Sequence, residues 1–360
     1  MKVSPRNLYA LLCYALDVLD RQDSVQVGVA QASAPADLMV QVLVREVDRL
    51  LKRGLAREYV EKVERLRRPR GRIGVSETVS QGLLAQRRQH CTFEELTPAT
   101  QVNGLLKGSL ERALRLEGLQ EASRRGLRRT LRRLPPLPAV HPTEQAFRAV
   151  RLGRHTASYR LALGVARLLA SCCLPQRGGE GLVFDDFTQD EHRMGHLFQT
   201  FVRRFLAREQ RDWAVSAPTL AFLAQGSAAD RAWLPRLETD ITLTGRRPEL
   251  GAWILELKCV KHTVQGRHGK QRLRSEHLYQ LLSYLETRAR TVGRARGGVL
   301  LYAESTTGPM RHDLVVNGHR LLVRTVPLQA SWGEVRGGLL GLGGELAGVT
   351  SGAESFASLC

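Results

Sequence analysis

The sequence predicts two domains: an α+β domain, mostly helical with a small β part, over residues 1–175, and an α/β domain over residues 176–345. The first half carries a series of apolar patterns at helical spacing, interrupted by one short alternating segment. The second half starts with a long amphipathic helix and continues with strand patterns around another helix, the order typical of an α/β sheet. The chain has 360 residues, which is more than one hydrophobic core usually supports.

The first half begins with two predicted helices. Asn7–Leu19 is apolar on all sides at helical spacing, and Ser4 and Pro5 fit a helix cap and a first-turn proline. Pro35–Arg53 has one apolar side, and Gly54 marks its expected end. Both segments are therefore expected to pack into a core.

Further along the first half, a strand pattern precedes three more helices. Arg70–Val79 alternates and predicts a strand or a hairpin. Helices are expected after Thr97 and Pro98 through Leu114, over Glu117–Leu134 and over Ser158–Cys173. The second of these carries six arginines, which fit either a DNA-binding stripe or, more commonly, a solvated helix face. The glycine-rich segment Gln176–Gly181 is the predicted interdomain linker.

The second half predicts a sheet between helices. Asp190–Glu209 has a continuous apolar side and is expected to be a long amphipathic helix. The remaining patterns predict five strands and one helix, in the order Thr239–Thr244, Trp253–Leu257, helix Glu276–Arg288, Gly298–Tyr302, Asp313–Val316 and Arg320–Thr325. Glycine dominates from Gly337 onward, and residues 346–360 are expected to be a disordered tail.

Composition narrows the class of protein. A formal net charge of +19 favours a polyanionic partner, because neutralised phosphates release counterions. Only seven of the 54 basic residues are lysine, so part of this bias also fits genome base composition. The six cysteines are scattered without a CxxC pair, which predicts reduced core thiols in a cytoplasmic protein. No apolar stretch is long enough to span a membrane, and no secretion signal is recognisable.

The most informative pattern is an acid followed at hairpin distance by an E-x-K triplet. Alternate side chains of a strand share a face, so Glu256 and Lys258 are expected to project together while Leu257 points into the core. If the strand that begins near Asp240 pairs with this one, Asp240 reaches the same edge. The pattern then predicts a Mg²⁺ site with Asp240, Glu256 and the Leu257 backbone carbonyl as ligands, and Lys258 beside the attacking water. An E-x-K triplet alone also fits an exposed ion pair, but here it ends an apolar strand.

Other candidate residues are weaker. Gln280 and Tyr284 lie four apart on one helix face, which fits either helix packing or an auxiliary role beside the site. His192 and His196 have zinc-ligand spacing without the glutamate or third ligand of a metalloprotease. The sequence contains no GxxxxGK[ST] motif, so nucleotide hydrolysis is not expected of this chain itself.

These residues resemble two related families. Asp240, Glu256, Lys258 and the helix with Tyr279 and Gln280 look like the PD-(D/E)xK restriction-endonuclease-like fold. The whole chain is similar to the McrC family, the nuclease subunits of the McrBC modification-dependent restriction systems. The similar segments, in the order of the family, are Pro5–Leu19, Arg70–Val79, Cys91–Leu110, Leu234–Leu243, Ile254–Lys258, His277–Leu285 and Gly297–Tyr302.

The resemblance implies a Mg²⁺-dependent DNA endonuclease subunit of an antiviral restriction complex. Residues 1–175 would then bind a McrB-like AAA+ GTPase hexamer and stimulate its hydrolysis, and residues 176–345 would be the nuclease domain. Recognition of methylated double-stranded DNA would belong to the partner. The family often has aspartate where Glu256 stands, and the position of the first-helix acid of many such nucleases holds Gln199, so no ligand is assigned there.

Two alternatives remain from the sequence. The chain could be a non-catalytic adaptor that bridges a motor hexamer to DNA, although an inactive fold has no reason to keep Asp240, Glu256 and Lys258. It could also be a stand-alone RecB-like nuclease, although many of those carry iron–sulfur cysteines and the cysteines here are scattered.

Overall fold

The computed structural model describes residues 3–18, 34–176, 181–267, 270–305 and 308–348. Its contacts divide the chain into two compact units. The first, called here the helical unit, is Ser33–Asp185, and the second, called the sheet unit, combines Met1–Ala32 with Asp186–Cys360. No helix in the described residues has the length and apolar content needed to cross a bilayer.

The elements follow one another along the chain as follows. The α-helices of the described residues are α1 (Pro5–Ala15), α2 (Pro35–Arg53), α3 (Val75–Ser80), α4 (Gln101–Leu114), α5 (Glu121–Arg133), α6 (Glu144–Ala149), α7 (Arg160–Cys172), α8 (Glu191–Glu209), α9 (Ala228–Arg231), α10 (Ser275–Thr291) and α11 (Trp332–Leu346). The strands are β1 (Glu58–Leu66), β2 (Arg72–Gly74), β3 (Gln89–Thr97), β4 (Cys173–Pro175), β5 (Leu182–Phe184), β6 (Trp213–Ser216), β7 (Thr219–Leu220), β8 (Leu237–Glu238), β9 (Ile241–Gly245), β10 (Ala252–Lys258), β11 (Val264–Arg267), β12 (Lys270–Leu273), β13 (Gly297–Ala303), β14 (Arg311–Val316) and β15 (His319–Val326).

The helical unit confirms the helices predicted for the middle of the first half. Helix α2 has its predicted bounds and packs on α5 and α7. Strands β1, β3 and β2 form an antiparallel sheet in that order. The prediction of a strand over Arg70–Val79 was right only for its centre, because Val75–Ser80 is helical. Strands β1 and β3 carry polar residues on both faces, so they lack the alternation that would have predicted them.

The predicted linker lies within the helical unit and does not separate domains. Strands β4 and β5 pair antiparallel across it, with Pro175 opposite Leu182. The backbone N–H of Gln176 donates to the carbonyl of Gly181 at 3.2 Å. Residues 177–180 of the predicted linker lie outside the described residues. The division between the units instead follows Asp185.

Helix α1 belongs to the sheet unit, which corrects the prediction that residues 1–175 form one domain. The Asn7 side-chain amide donates to the carbonyls of Leu328 and Ala330, both at 2.8 Å. The Tyr14 ring packs against Phe201 and Phe205 of α8, with ring centroids 5.5 and 5.2 Å away. The apolar helix therefore finds its core partner far away along the chain.

The sheet unit is built on a six-stranded mixed sheet in the order β14-β15-β13-β10-β9-β6. Strands β15, β13 and β10 are parallel to one another, and antiparallel neighbours flank them on both sides. Helix α10 packs Leu281 and Leu285 onto the face that bears Ile254 and Leu300. Leu255 points to the opposite side and is also buried, so both faces of β10 are covered. This is the predicted α/β arrangement.

The C-terminal region differs from its prediction. Helix α11 covers a glycine-rich stretch for which the sequence predicted no element. Ser331 and Glu334 form a capping box at its start, and Leu339 and Leu342 are buried. The predicted disordered tail, residues 346–360, overlaps the last residue of α11, and residues 349–360 lie outside the described residues. The five cysteines of the described residues are buried, as predicted for core thiols.

Candidate active site at the end of strand β10

Strands β9 and β10 place two carboxylates at one end of the sheet. The strands pair antiparallel with Leu255 opposite Ile241, so that one residue further along Asp240 faces Glu256. The Oδ2 atom of Asp240 accepts a hydrogen bond of 2.8 Å from the N–H of Leu257. This bond holds the Asp240 carboxylate against β10. The structure therefore brings together the two acids that the sequence pattern singled out.

Glu256 is a buried carboxylate at the centre of this site. The residue is 1% exposed, and its Oε1 lies 2.7 Å from Nζ of Lys258. Its Oε2 is buried and has no hydrogen-bond partner among the described residues. Burial, followed by the negative charge of Asp240, raises the pKa of Glu256 to about 7. Burial also raises the pKa of Asp240, while the Leu257 N–H and Lys258 act in the opposite direction.

Helix α10 holds the lysine from its other side. The Lys258 ammonium donates to Oε1 of Gln280 at 2.8 Å, and Nε2 of Gln280 donates to the Tyr284 hydroxyl at 2.8 Å. That hydroxyl donates in turn to the backbone carbonyl of Glu238 at 3.0 Å, two residues before Asp240. A continuous chain of hydrogen bonds thus links Lys258 to the segment that contains Asp240. Tyr279, the other polar residue of the sequence motif, is 67% exposed.

Helix α8 supplies a residue that the sequence analysis left without a role. The helix runs alongside the end of β10: Oε1 of Glu191 accepts from the N–H of Lys261 at 2.7 Å, and Gly195 lies against Cys259. One turn further, the Gln199 side chain hydrogen-bonds Asp240 and lowers its pKa. Glu191, Gly195 and Gln199 are spaced four apart and therefore lie on one face of the helix. The sequence alone does not show that this face meets the end of β10, because that depends on how the helix and the sheet pack.

A buried histidine lies behind the lysine. Nδ1 of His277 lies 2.9 Å from the hydroxyl of Tyr302, and the residue is 5% exposed. Burial, and then the positive charges of Lys258 and Arg274, lower the pKa of His277 to about 4. The ring is therefore neutral at physiological pH and acts as a fixed hydrogen-bonding group.

The donor set fits a hard divalent cation. A buried carboxylate with an unused oxygen beside a second carboxylate is an arrangement that such a cation stabilises, and Mg²⁺ commonly uses one or two carboxylates and several waters. The described residues contain no cluster of three or more His, Cys, Asp or Glu side chains, the set expected of a closed zinc site. His192 and His196 are therefore not part of such a cluster. Mg²⁺ itself and the Leu257 carbonyl as a ligand stay predictions.

Comparisons with known proteins agree with the resemblance seen in the sequence. A family model described as "McrBC 5-methylcytosine restriction system component" matches residues 2–303. The chain is 29% identical over 329 residues to the "Type IV methyl-directed restriction enzyme EcoKMcrBC" of Escherichia coli (strain K12), covering 91% of this chain and 93% of the relative. Its fold is similar to a chain in the "half-complex from tetradecameric assembly of Thermococcus gammatolerans McrB AAA+ hexamers with bound McrC", with a TM-score of 0.58, 16% identity, and coverage of 92% of this chain and 76% of that chain.

Proposed function

The chain belongs to the family of McrBC 5-methylcytosine restriction system components, and from this membership we propose that it is the metal-dependent DNA endonuclease subunit of such a system. The observation that carries the proposal is the buried Glu256 carboxylate, which has one oxygen on Lys258 and one oxygen without a partner among the described residues. Isolated buried charges are costly and are retained mainly where chemistry needs them. A bound cation would satisfy the unused oxygen, which the contact with Lys258 leaves free of hydrogen bonds among the described residues.

The roles of the residues follow from their contacts. Asp240 and Glu256 would hold Mg²⁺, which when bound acts as a Lewis acid on the phosphodiester and makes a bound water more acidic. Lys258 remains 18% exposed, and Glu256 and Gln280 fix its ammonium, so it can stabilise negative charge on the scissile phosphate. Gln280 and Tyr284 are positioning residues, because they act on the lysine and on the Glu238 backbone. The expected reaction is phosphodiester hydrolysis in a PD-(D/E)xK site.

The partner of the proposed nuclease is an AAA+ hexamer. The solved structure with the similar fold contains McrB AAA+ hexamers with bound McrC, and the present sequence lacks a P-loop of its own. We assign docking on a McrB-like GTPase, and stimulation of its hydrolysis, to the helical unit. Recognition of methylcytosine is assigned to the partner, because the chain contains no helix-turn-helix or zinc-finger pattern for reading bases. The complex is expected to act in the cytoplasm.

A plasmid assay tests the proposal. The purified chain with Mg²⁺ should cut poorly by itself, and addition of the AAA+ partner, GTP and methylated plasmid should produce double-strand breaks. Stimulation of GTP hydrolysis without any cleavage would favour a non-catalytic adaptor. Rapid linearisation of unmethylated plasmid by the chain alone would favour a stand-alone nuclease.

A further inference from the structure

An exposed arm projects next to the candidate active site. The arm is defined as Ala221–Arg236, the connection between β7 and β8. Every residue of the arm is exposed except the half-buried Ala224, so it contributes nothing to the core of the sheet unit. Loops of this length inside a compact domain commonly serve a function.

The base of the arm is tied to the site. Leu220 pairs with Leu237 across the ends of the arm. Immediately after β8, both the N–H and the hydroxyl of Thr239 donate to the carbonyl of Pro218, at 3.2 and 3.1 Å. The Glu238 carbonyl accepts from Tyr284, the last member of the chain that begins at Lys258. The arm therefore ends four residues before Asp240, and β8, which follows it directly, contacts the lysine network.

The arm exposes apolar side chains in an ordered setting. Trp233 is 89% exposed and Leu223 is 70% exposed. The short helix α9 lies between these two residues, and Ser227 and Asp230 cap it with hydrogen bonds in both directions. Trp233 lies in the turn that follows α9, and a tryptophan this exposed indicates a contact surface.

The charges of the arm indicate what it contacts. Arg231 and Arg236 flank Trp233, and neither guanidinium forms an ion pair within the described part of the chain. Asp230 is the only acid of the arm, and Ser227 engages its carboxylate through both its N–H and its hydroxyl. The arm therefore exposes an aromatic ring and, within three residues of it in sequence, two available cations, the residue types that bind a nucleic-acid backbone.

We propose that the arm is a DNA-contacting element that holds the duplex beside the scissile phosphate. The Trp233 ring lies against sugar and base surface, and Arg231 and Arg236 contact phosphates. The inference rests on the proposed nuclease function, since DNA is chosen over a protein partner because the arm continues directly into the candidate active site. The end of the arm four residues before Asp240, together with two cations that have no ion-pair partner among the described residues, favours a polyanion held at the site over a protein partner.

Tryptophan fluorescence tests the arm directly. Trp213 and Trp253 are buried and Trp332 is half-buried, so emission from Trp233 is the component open to solvent. The experiment uses the full chain carrying Lys258→Ala, which prevents cleavage, and titrates it with a short duplex at low salt. The emission should change saturably with duplex, and the change should disappear in the Trp233→Phe variant.

Affinity provides the second readout. Trp233→Ala should weaken duplex binding about 10-fold, the order expected when an aromatic contact to nucleic acid is lost. Replacing both Arg231 and Arg236 by Gln should lower the slope of log K against log salt by about 2, one unit per phosphate contact. Val315→Ala, an exposed apolar residue on the edge strand β14, is the matched control and should leave affinity and slope unchanged.

The outcomes separate the arm from the nuclease. Unchanged emission and affinity in the Trp233 variants, or no duplex binding at low salt, would overturn the arm assignment. Loss of self-association or of binding to the AAA+ partner with unchanged DNA affinity would also overturn it and identify a protein contact. If the arm responds to DNA as expected but the unsubstituted chain never cuts with its partner present, the nuclease proposal fails while the arm assignment stands.

Discussion

Strand β10 is buried but contains an acidic residue, whereas strand β1 is exposed but contains apolar residues. Strand β10 is buried along its length up to Lys258 and carries the charged Glu256. Strand β1 is exposed along nearly its whole length and displays Tyr59 and Val63, 69% and 57% exposed. A buried acidic side chain and exposed apolar side chains both cost free energy relative to the reverse arrangement. Such departures are expected where function, and not stability, selects the residue.

The two departures indicate different functions. On β10 the buried carboxylate lies beside a second acid, a fixed lysine and a glutamine, which is a set for chemistry on a phosphate. On β1, Tyr59 and Val63 share a face with Glu61, which lines a groove together with Arg70, Arg72 and Phe93, while Lys62 and Glu95 form an ion pair on the other face. That mixture is typical of a protein-binding surface. The comparison supports the proposal that the sheet unit carries the chemistry and the helical unit carries the docking surface.

The largest expected effect is on cleavage. Lys258→Ala should reduce DNA cleavage by about 10²–10³-fold, because the ammonium no longer stabilises charge at the phosphate. Stimulation of the partner's GTP hydrolysis should be unchanged, since that activity is assigned to the helical unit. Lys261→Ala, an exposed lysine three residues further on, is the matched control and should cleave normally. Loss of GTPase stimulation in the Lys258 variant would break the separation between the two units.

Removal of the Gln280 side chain should also reduce DNA cleavage, but less than Lys258→Ala does. Gln280→Ala leaves the Lys258 ammonium held only by Glu256, so kcat should fall about 10- to 100-fold with little change in KM. Gln280→Glu restores an acceptor for the lysine and should recover part of the rate. Single-turnover cleavage of a labelled duplex by the assembled complex measures both. An increase in KM at constant kcat would instead make Gln280 a DNA-binding residue.

Substitutions on the exposed strand β1 should instead affect binding to the AAA+ partner. Replacing Tyr59 and Val63 together by Ser should weaken binding to the AAA+ partner and lower its stimulation about 10-fold, as for removal of an interface anchor. The free energy of unfolding should change by less than about 0.5 kcal/mol, because neither side chain is buried. Glu64→Gln, on the other face of the same strand, is the exposed control. Normal stimulation by the double variant would place the docking surface elsewhere in the helical unit.

Local patterns were enough to predict which side chains meet at the end of β10. Asp240, Glu256 and Lys258 follow from one hairpin, and Gln280 with Tyr284 from one helix face, so each needs only short-range spacing. Gln199 and the position of helix α1 depend on packing between distant segments, which no spacing encodes. Helix α11 was missed because its glycines hide the capping box at Ser331 that starts it. The assignment of α1 to the first domain failed for the same reason as Gln199: its partners lie in α8.

The smallest effect concerns the histidine behind the lysine. The folded-state pKa of His277 is lowered from 6.5 to about 4, so the unfolded chain binds the proton more readily over that range. Stability is then fully present above pH 6.5 and is lost as the pH falls towards 4, by up to about 3 kcal/mol for a shift of this size. His277→Gln removes this loss, although it should be slightly less stable at neutral pH because the contact with Tyr302 changes. The difference in unfolding free energy between wild type and variant, measured by urea titration from pH 7.5 to 4, should therefore shift in favour of the variant as the pH falls.

His155→Gln, at an exposed position in the helical unit, should keep the wild-type pH dependence. Parallel curves for wild type and His277→Gln would mean that the environment behind Lys258 is open to water. The contrast between the buried strand β10 and the exposed strand β1 would then be weaker than the burial of β10 implies.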